Sequence, residues 1–117
     1  MAHKDEVGRW GEAYARRWLA QRGWRILASN WRCRAGEVDI VAVRGPDLVF
    51  FEVRTRTSVA FGHPVESISA AKLARMRLVA GRWLAAHPHA RGRIRLDLIG
   101  ILRQHDRTEV EHVEAVG

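Results

Sequence analysis

The stretch GEVDIVAVRGPDLVFFEVRTR, residues 36–56, decides the fold of this chain. Two runs rich in Val, Ile and Phe, at 37–43 and 48–55, have the composition of β-strands. The four residues between them, 44–47, include Gly45 and Pro46 and have the composition of a tight turn. The stretch therefore predicts a β-hairpin inside a sheet.

This hairpin brings acidic residues together. If the turn holds an even number of residues, Asp39 lies opposite Glu52, and Glu37 lies opposite Arg54. Like charges that face each other across strands are destabilising, so the Asp39 and Glu52 pair needs compensation. A divalent cation such as Mg²⁺, bound by both carboxylates, would provide it. Arg54 could offset part of the repulsion without a metal, with Glu37 and Arg54 forming an ordinary cross-strand ion pair.

The remaining elements alternate around the hairpin. Helical spacing of apolar residues predicts helices at 7–22 and 70–86, the second capped by Ser69. Further strands are expected at 24–28, 93–102 and 109–116, with a polar turn through Ser29 and Asn30 after the first. The order α-β-β-β-α-β-β predicts an α/β layered domain whose helices cover a sheet. We expect one domain over 1–117, with 1–6 flexible.

Composition narrows the class of protein. The 117 residues carry 20 Lys and Arg against 13 Asp and Glu, a net charge of +7, which favours polyanionic partners. Apolar runs are too short to cross a bilayer, and the first residues have no secretory segment. A single cysteine, Cys33, cannot form an internal disulfide, so we expect a cytoplasmic protein with no membrane partner. The excess of Arg fits a phosphate-binding surface or a GC-rich genome equally well.

A set of basic residues lies near the hairpin in sequence or on the helix expected to pack beside it. We predict that they form a nucleic-acid-binding rim, or alternatively a solvated polar surface. They are Arg32, Arg34, Arg54, Arg56, Lys72 and Arg75.

Other side chains are interpreted from their place in the pattern. Trp10, Trp18 and Trp83 lie on apolar helix stripes and are expected in the core, whereas Trp31 and Phe61 fall in predicted loops and are candidates for base stacking. Asp97 interrupts an apolar strand, which favours a structural ion pair, for example with Arg95.

Several blocks of the sequence together resemble a known family. The segments GRWGEAYA (8–15), NWRCR (30–34), GEVDIV (36–41) and VFFEVRTR (49–56), with the Phe61-Gly62 pair and the helix start from Ser69 to Lys72, resemble the bacterial YraN-like family. The resemblance spans about 7–101. That family is in turn similar to the restriction-endonuclease-like, or PD-(D/E)XK, nucleases, and most closely to archaeal Holliday-junction resolvases. The resemblance implies a restriction-endonuclease-like three-layer core around a central mixed sheet.

The resemblance also implies catalytic roles. Glu12 matches the helix glutamate of the resolvases, Asp39 the first-strand aspartate and Glu52 the acid of the E-x-K motif. Asp39 and Glu52 would hold Mg²⁺, with Mn²⁺ as a substitute. Arg54 stands where these enzymes have lysine, and a guanidinium keeps its proton, so it can bind phosphate but cannot act as a base. Periodicity alone instead places Glu12 on the solvated side of its helix.

Three functions follow from these observations. The first is a nucleic-acid-binding protein with a nuclease-like fold, acting on structured or branched DNA, in which Arg54 makes cleavage uncertain. The second is an active Mg²⁺-dependent endonuclease of the Holliday-junction-resolvase type. The third is a protein-binding scaffold with a basic face. Because resolvases act as dimers, the resemblance also allows a homodimer.

Overall fold

The computed structural model of the chain describes residues 5–60, 62–65 and 68–117. Two helices and five strands follow one another in the predicted order α-β-β-β-α-β-β. They are α1 (Glu6–Gln21), β1 (Arg25–Cys33), β2 (Gly36–Arg44), β3 (Asp47–Arg56), α2 (Ala70–Ala86), β4 (Arg93–Arg103) and β5 (Thr108–Val113).

The five strands form one mixed sheet in the order β1-β2-β3-β4-β5. The β3–β4 pair is parallel, and the other three neighbouring pairs are antiparallel. The parallel pair requires a crossover, which α2 provides. The predicted α/β class with a mixed sheet is therefore confirmed, as is the place of β5 at the edge.

The register of the central hairpin is the predicted one. Pairing between β2 and β3 runs from Arg44↔Asp47 at the turn to Ile40↔Phe51. Gly45 has φ 57°, in the left-handed region that glycine adopts without steric cost, which allows the tight turn. The hairpin strands lie inside the sheet, and consecutive residues are buried at 38–42 in β2 and at 48–51 in β3.

Each face of the sheet is covered by one helix. On one face, Ala15 and Leu19 of α1 pack in a buried cluster with Ile40, Phe51 and other sheet residues. On the other face, three residues of α2 complete a second buried cluster with strand residues. Its members are Val38, Val41, Leu48, Phe50, Val79, Ala80, Trp83 and Leu96. The sheet thus lies between two helical layers.

The first strand departs from the prediction. The expected turn at Ser29 and Asn30 is wrong, because β1 continues to Cys33 and pairs with β2 as far as Cys33↔Gly36. The register shifts between Ile26 and Ala28, and Asn30 has φ 53°, which asparagine tolerates better than most residues. These irregularities account for the turn-like composition. Trp31 therefore lies in a strand and packs against the core cluster on the α2 face, not in a loop.

Both helices begin at capping residues. Asp5 Oδ1 accepts the Gly8 N–H at 2.7 Å, and Ser69 Oγ accepts the Lys72 N–H at 3.1 Å, as predicted for Ser69. Of the segment 1–6, for which we expect flexibility, residues 1–4 lie outside the described residues, whereas Asp5 caps α1 and Glu6 begins it. Phe61 also lies outside them. Within the described ranges, neither helix is long and apolar enough to cross a membrane.

Candidate functional site

The central hairpin opens where its acidic residues lie. Beyond the Ile40↔Phe51 pair, the Asp39 carboxylate takes the place of a backbone partner, and its Oδ2 accepts the Val53 N–H at 2.8 Å. Asp39 is only 4% exposed. The β2–β3 register therefore does not extend to the predicted Asp39–Glu52 and Glu37–Arg54 partners, and a side-chain hydrogen bond to Val53, next to Glu52, ties Asp39 to β3 instead.

A cavity of about 840 Å³ opens at this end of the hairpin. Five of the described acidic residues line it, and three of them come from three different elements: Glu12 from α1, Asp39 from β2 and Glu52 from β3. Three cations, Arg54, Arg56 and Lys72, line it as well. The other described lining residues are Asp5, Val7, Gly8, Glu37, Val53, Thr55 and Ser69. The structure thus brings all four residues predicted as catalytic to one cavity.

Glu12 is buried, 4% exposed, so the expectation of a solvated glutamate is wrong. Periodicity misplaces Glu12 because the large apolar residues Trp10 and Trp18 shift the centre of the expected buried stripe away from it. The buried residues of α1 are instead Gly11, Glu12, Ala15 and Leu19, a stripe that begins with small side chains. The tryptophans lie at its flank, only partly buried against the core.

Glu52 and Asp39 are close enough to repel each other. Burial raises the pKa of Glu52 above its ordinary value, the charge of Asp39 raises it further, and Lys72 and Arg54 offset part of the effect. Lys72 Nζ lies 3.1 Å from Glu52 Oε2. The ionised carboxylate therefore depends on neighbouring cations, as expected for a site that holds acids together.

Glu37 of β2 forms an ion pair with a residue of β1, the strand on the opposite edge of β2 from β3. Its Oε2 lies 3.4 Å from Arg32 Nε, and the two residues are partners in the β1–β2 register. Arg32 is thus engaged with a residue that lines the cavity, although Arg32 itself is not among the described lining residues.

The predicted basic rim divides into two groups. Arg54, Arg56 and Lys72 line the cavity, whereas Arg32, Arg34 and Arg75 are not among the described residues that do so. Arg34 lies exposed in the turn between β1 and β2, and Arg75 is exposed on α2 with its side chain beside Gly36. The second group therefore lies toward the β1–β2 turn.

The acidic residues suit a hard divalent cation. Among the described residues, no group of three or more His, Cys, Asp or Glu is placed to hold a metal ion. Asp39 and Glu52 supply a pair of mutually repelling carboxylates, and Mg²⁺ is commonly held by one or two carboxylates together with waters and substrate phosphates. The donor chemistry present thus fits Mg²⁺ or Mn²⁺ at these two residues.

Sequence reasoning missed two features of the site. The first is the ion pair between Lys72 and Glu52, since the sequence predicts Lys72 only as a member of the basic rim. The second is the close approach of Gly11 to Thr55, which brings Glu12 to the cavity. A signal for the second exists in the sequence, since Gly11 directly precedes Glu12 and a glycine inside a helix often marks close packing.

A second polar cluster, away from this cavity, is structural. Asp97 is fully buried and accepts hydrogen bonds from Arg95 Nε at 2.9 Å, His112 Nε2 at 2.7 Å and the Ala115 N–H at 3.0 Å. Burial alone would raise the pKa of Asp97, but the hydrogen bonds from His112 and Arg95 outweigh it and lower the pKa. The predicted ion pair with Arg95 is confirmed.

The chain is an α/β protein with an acidic, cation-rimmed cavity at the open end of its central hairpin. A family model described as "Uncharacterised protein family UPF0102" matches residues 11–101. A UPF0102 protein of Beutenbergia cavernae is 49% identical over 119 residues, with 100% of both chains covered. One of Frankia alni is 50% identical over 103 residues, covering 88% of this chain and 86% of the relative. The chain therefore belongs to the UPF0102, YraN-like family, as its sequence blocks indicated.

Proposed function

We propose that this protein is a divalent-metal-dependent nuclease that acts on structured or branched DNA. One observation carries the proposal: Glu12, Asp39 and Glu52 come from three separate elements to one cavity lined by Lys72 and Arg54. Glu12 and Asp39 are almost completely buried there. Burying acidic groups together is costly, and such clusters are typical of sites that bind cations or transfer protons.

Asp39 and Glu52 are the proposed metal ligands. A bound Mg²⁺ would activate water and stabilise the charge that develops on a phosphate. The Val53 N–H holds Asp39 in place, and Arg54, on the same strand face as Glu52, can bind a phosphate oxygen with its guanidinium fork. Glu12 adds a third carboxyl group from the α1 side of the cavity.

The substrate class rests on charge and on resemblance. A chain with net charge +7 and three cations at the acidic cavity is suited to bring a phosphate backbone to it. The preference for branched DNA, the restriction-endonuclease-like core and a homodimer come from the resemblance to Holliday-junction resolvases. The observed mixed sheet between two helical layers supports that resemblance. The proposal places the protein in the cytoplasm, where Cys33 stays reduced.

A nucleic-acid-binding protein without cleavage is the second candidate, and Arg54 favours it. A guanidinium at this position cannot accept a proton from water, so the chemistry of the E-x-K motif is not reproduced by Arg54 itself. Under this alternative the acidic cavity is retained, but only binding occurs.

The test is cleavage of a panel of four-way junctions, nicked duplexes and single strands with Mg²⁺ or Mn²⁺. We expect a junction to be cut, and Glu52→Gln and Asp39→Asn each to lower the rate about 100-fold or more. Glu109→Gln, an exposed acid on β5, is the matched control and should leave the rate unchanged.

The same panel separates the candidates. If the protein binds DNA tightly and in a salt-dependent way but does not cleave it with either metal, the binding protein is favoured. Failure to bind any nucleic acid at low salt would contradict both candidates and favour a protein-binding scaffold.

A further inference from the structure

We propose that Lys72 is the displaceable cation of this site: its ammonium group holds Glu52 in the metal-free protein and moves to the DNA phosphate when a divalent cation binds Glu52. This inference rests on the proposed function and assigns Lys72 a role in the same site. The contact that carries it is the 3.1 Å approach of Lys72 Nζ to Glu52 Oε2.

The N-terminal cap of α2 fixes the backbone position of Lys72. Ser69 caps α2 through the Lys72 backbone N–H, so the α-carbon of Lys72 is held in the first turn beside the cavity. Its side chain is 33% exposed, whereas that of Glu52 is 16% exposed. The lysine therefore reaches from the helix to a largely buried carboxylate while part of its length remains open to the cavity.

A divalent cation and Lys72 compete for the same carboxylate. Two cations at one carboxylate repel each other strongly in a partly buried site, so binding of the metal at Glu52 weakens the ion pair with Lys72. The four-carbon stem of lysine is flexible, and its compact ammonium carries three donors that reorient easily. Released from Glu52, this group can contact a phosphate of DNA bound at the cavity that Lys72 lines.

Arg54 complements Lys72 from the strand. It lies two residues after Glu52 in β3, so the backbone directs both side chains to the same face, and its charge also acts on Glu52. Lys72 comes from the helix that covers that face. The site therefore contains a lysine beside its E-x-R motif, supplied by α2.

Removal of the Lys72 charge should raise the affinity for Mg²⁺ and lower the affinity for DNA in the presence of a divalent cation. In Lys72→Met, we expect Mg²⁺ to bind roughly tenfold more tightly, because a competing cation is gone. DNA affinity measured in Ca²⁺ should fall more than DNA affinity measured in EDTA, because Glu52 holds Lys72 away from DNA in the metal-free protein. If the wild type cleaves DNA, Lys72→Met should cleave about 100-fold more slowly.

The matched control is Arg77→Met, which removes one positive charge from the same helix at an exposed position. It should leave Mg²⁺ affinity unchanged and alter DNA affinity equally in Ca²⁺ and in EDTA. Thermal unfolding of both variants establishes that each is folded.

The small number of lysines allows the displacement of the Lys72 side chain to be observed directly by NMR. The chain has two, Lys4 and Lys72, so an NMR spectrum of protein labelled with ¹³C-lysine contains two side-chain signal sets, assigned by Lys4→Arg. We expect Mg²⁺ to shift the Cε signal of Lys72 and to leave that of Lys4 unchanged.

The outcomes distinguish this inference from the proposed function. If the wild type binds Mg²⁺ but the Lys72 signal stays in place and Lys72→Met binds Mg²⁺ with unchanged affinity, the role of Lys72 is wrong and the metal site stands. If Mg²⁺ binds only to Lys72→Met, Lys72 blocks the metal and is not displaced by it, which contradicts both the displacement and a Mg²⁺-dependent wild type. If neither protein binds Mg²⁺, both proposals fail.

Discussion

Gly11 of α1 lies directly against the side chain of Thr55 of β3. A Cβ at residue 11 would overlap Thr55 Oγ1 and lie 2.8 Å from Thr55 Cβ. This contact sets the distance between the helix and the strand at the point where Glu12 and Glu52 face the cavity. The absence of a side chain at residue 11 therefore allows Glu12 to line the same cavity as Asp39 and Glu52.

Gly11→Ala should destabilise the protein, although alanine favours helices. We expect a loss of about 1–3 kcal/mol in the free energy of unfolding, because the methyl group forces α1 away from β3. Glu12 moves with the helix, so cleavage should fall as well. Urea denaturation measures the first effect, and the junction assay measures the second.

The control is Gly81→Ala on α2, where an added Cβ meets nothing within 4 Å. It should stabilise the protein by about 0.5–1 kcal/mol through helix propensity. If Gly11→Ala is as stable as Gly81→Ala, the close packing of α1 on β3 is not what fixes Glu12.

Glu52→Gln should stabilise the fold at neutral pH although it removes one of the two proposed metal ligands. The pKa of Glu52 is raised by burial and by Asp39, so its ionised form is less favourable in the folded protein than in the unfolded chain. That penalty is present above the folded pKa and disappears as the pH falls below the unfolded value. The midpoint of thermal unfolding of Glu52→Gln should exceed that of the wild type at pH 7 and approach it at pH 4.

Asp97→Asn should have the opposite effect on stability. It leaves Arg95 and His112 beside a neutral side chain in a buried position, and we expect a loss of about 3 kcal/mol at pH 7. Because the pKa of Asp97 is lowered, its contribution is present above the unfolded pKa and is lost as the pH falls through the folded value. The difference between the two proteins should therefore narrow in acid.

Asp106→Asn, an exposed aspartate between β4 and β5, is the matched control for this substitution and should change stability by less than about 0.5 kcal/mol. A loss for Asp97→Asn that stays constant from pH 7 to pH 2 would contradict a role for the ionised carboxylate.

Much of the fold was predictable because its elements are marked locally. The hairpin register followed from the turn, and α2 followed from the Ser69 cap and its apolar spacing. The end of β1 was not predictable in this way. Ser29 and Asn30 have turn-forming side chains, but β1 continues past them, with Ser29 paired to Ile40 and Trp31 to Val38.

The site was predictable only where its residues share a hairpin. Asp39 and Glu52 could be paired from strand register, since both belong to adjacent strands. Glu12 and Lys72 reach the cavity from two helices on opposite faces of the sheet, and their positions depend on tertiary packing. Resemblance identified Glu12 where periodicity failed, because periodicity weighs large apolar side chains and overlooks a buried stripe that contains the small residues Gly11 and Ala15.

The basic rim makes a prediction about salt. Each lysine or arginine that contacts a phosphate adds about 0.9 to the slope of log affinity against log salt concentration. Arg56→Ala should therefore lower the slope by about that amount, because Arg56 is exposed and lines the cavity.

The same measurement shows how far the DNA extends. Arg34→Ala and Arg75→Ala should also lower the slope if DNA extends along the sheet toward the β1–β2 turn. Arg91→Ala, which alters an exposed residue before β4 at the opposite end of that strand from the cavity, should leave the slope unchanged. Equal slopes for Arg56→Ala and Arg91→Ala would place the DNA elsewhere on the protein.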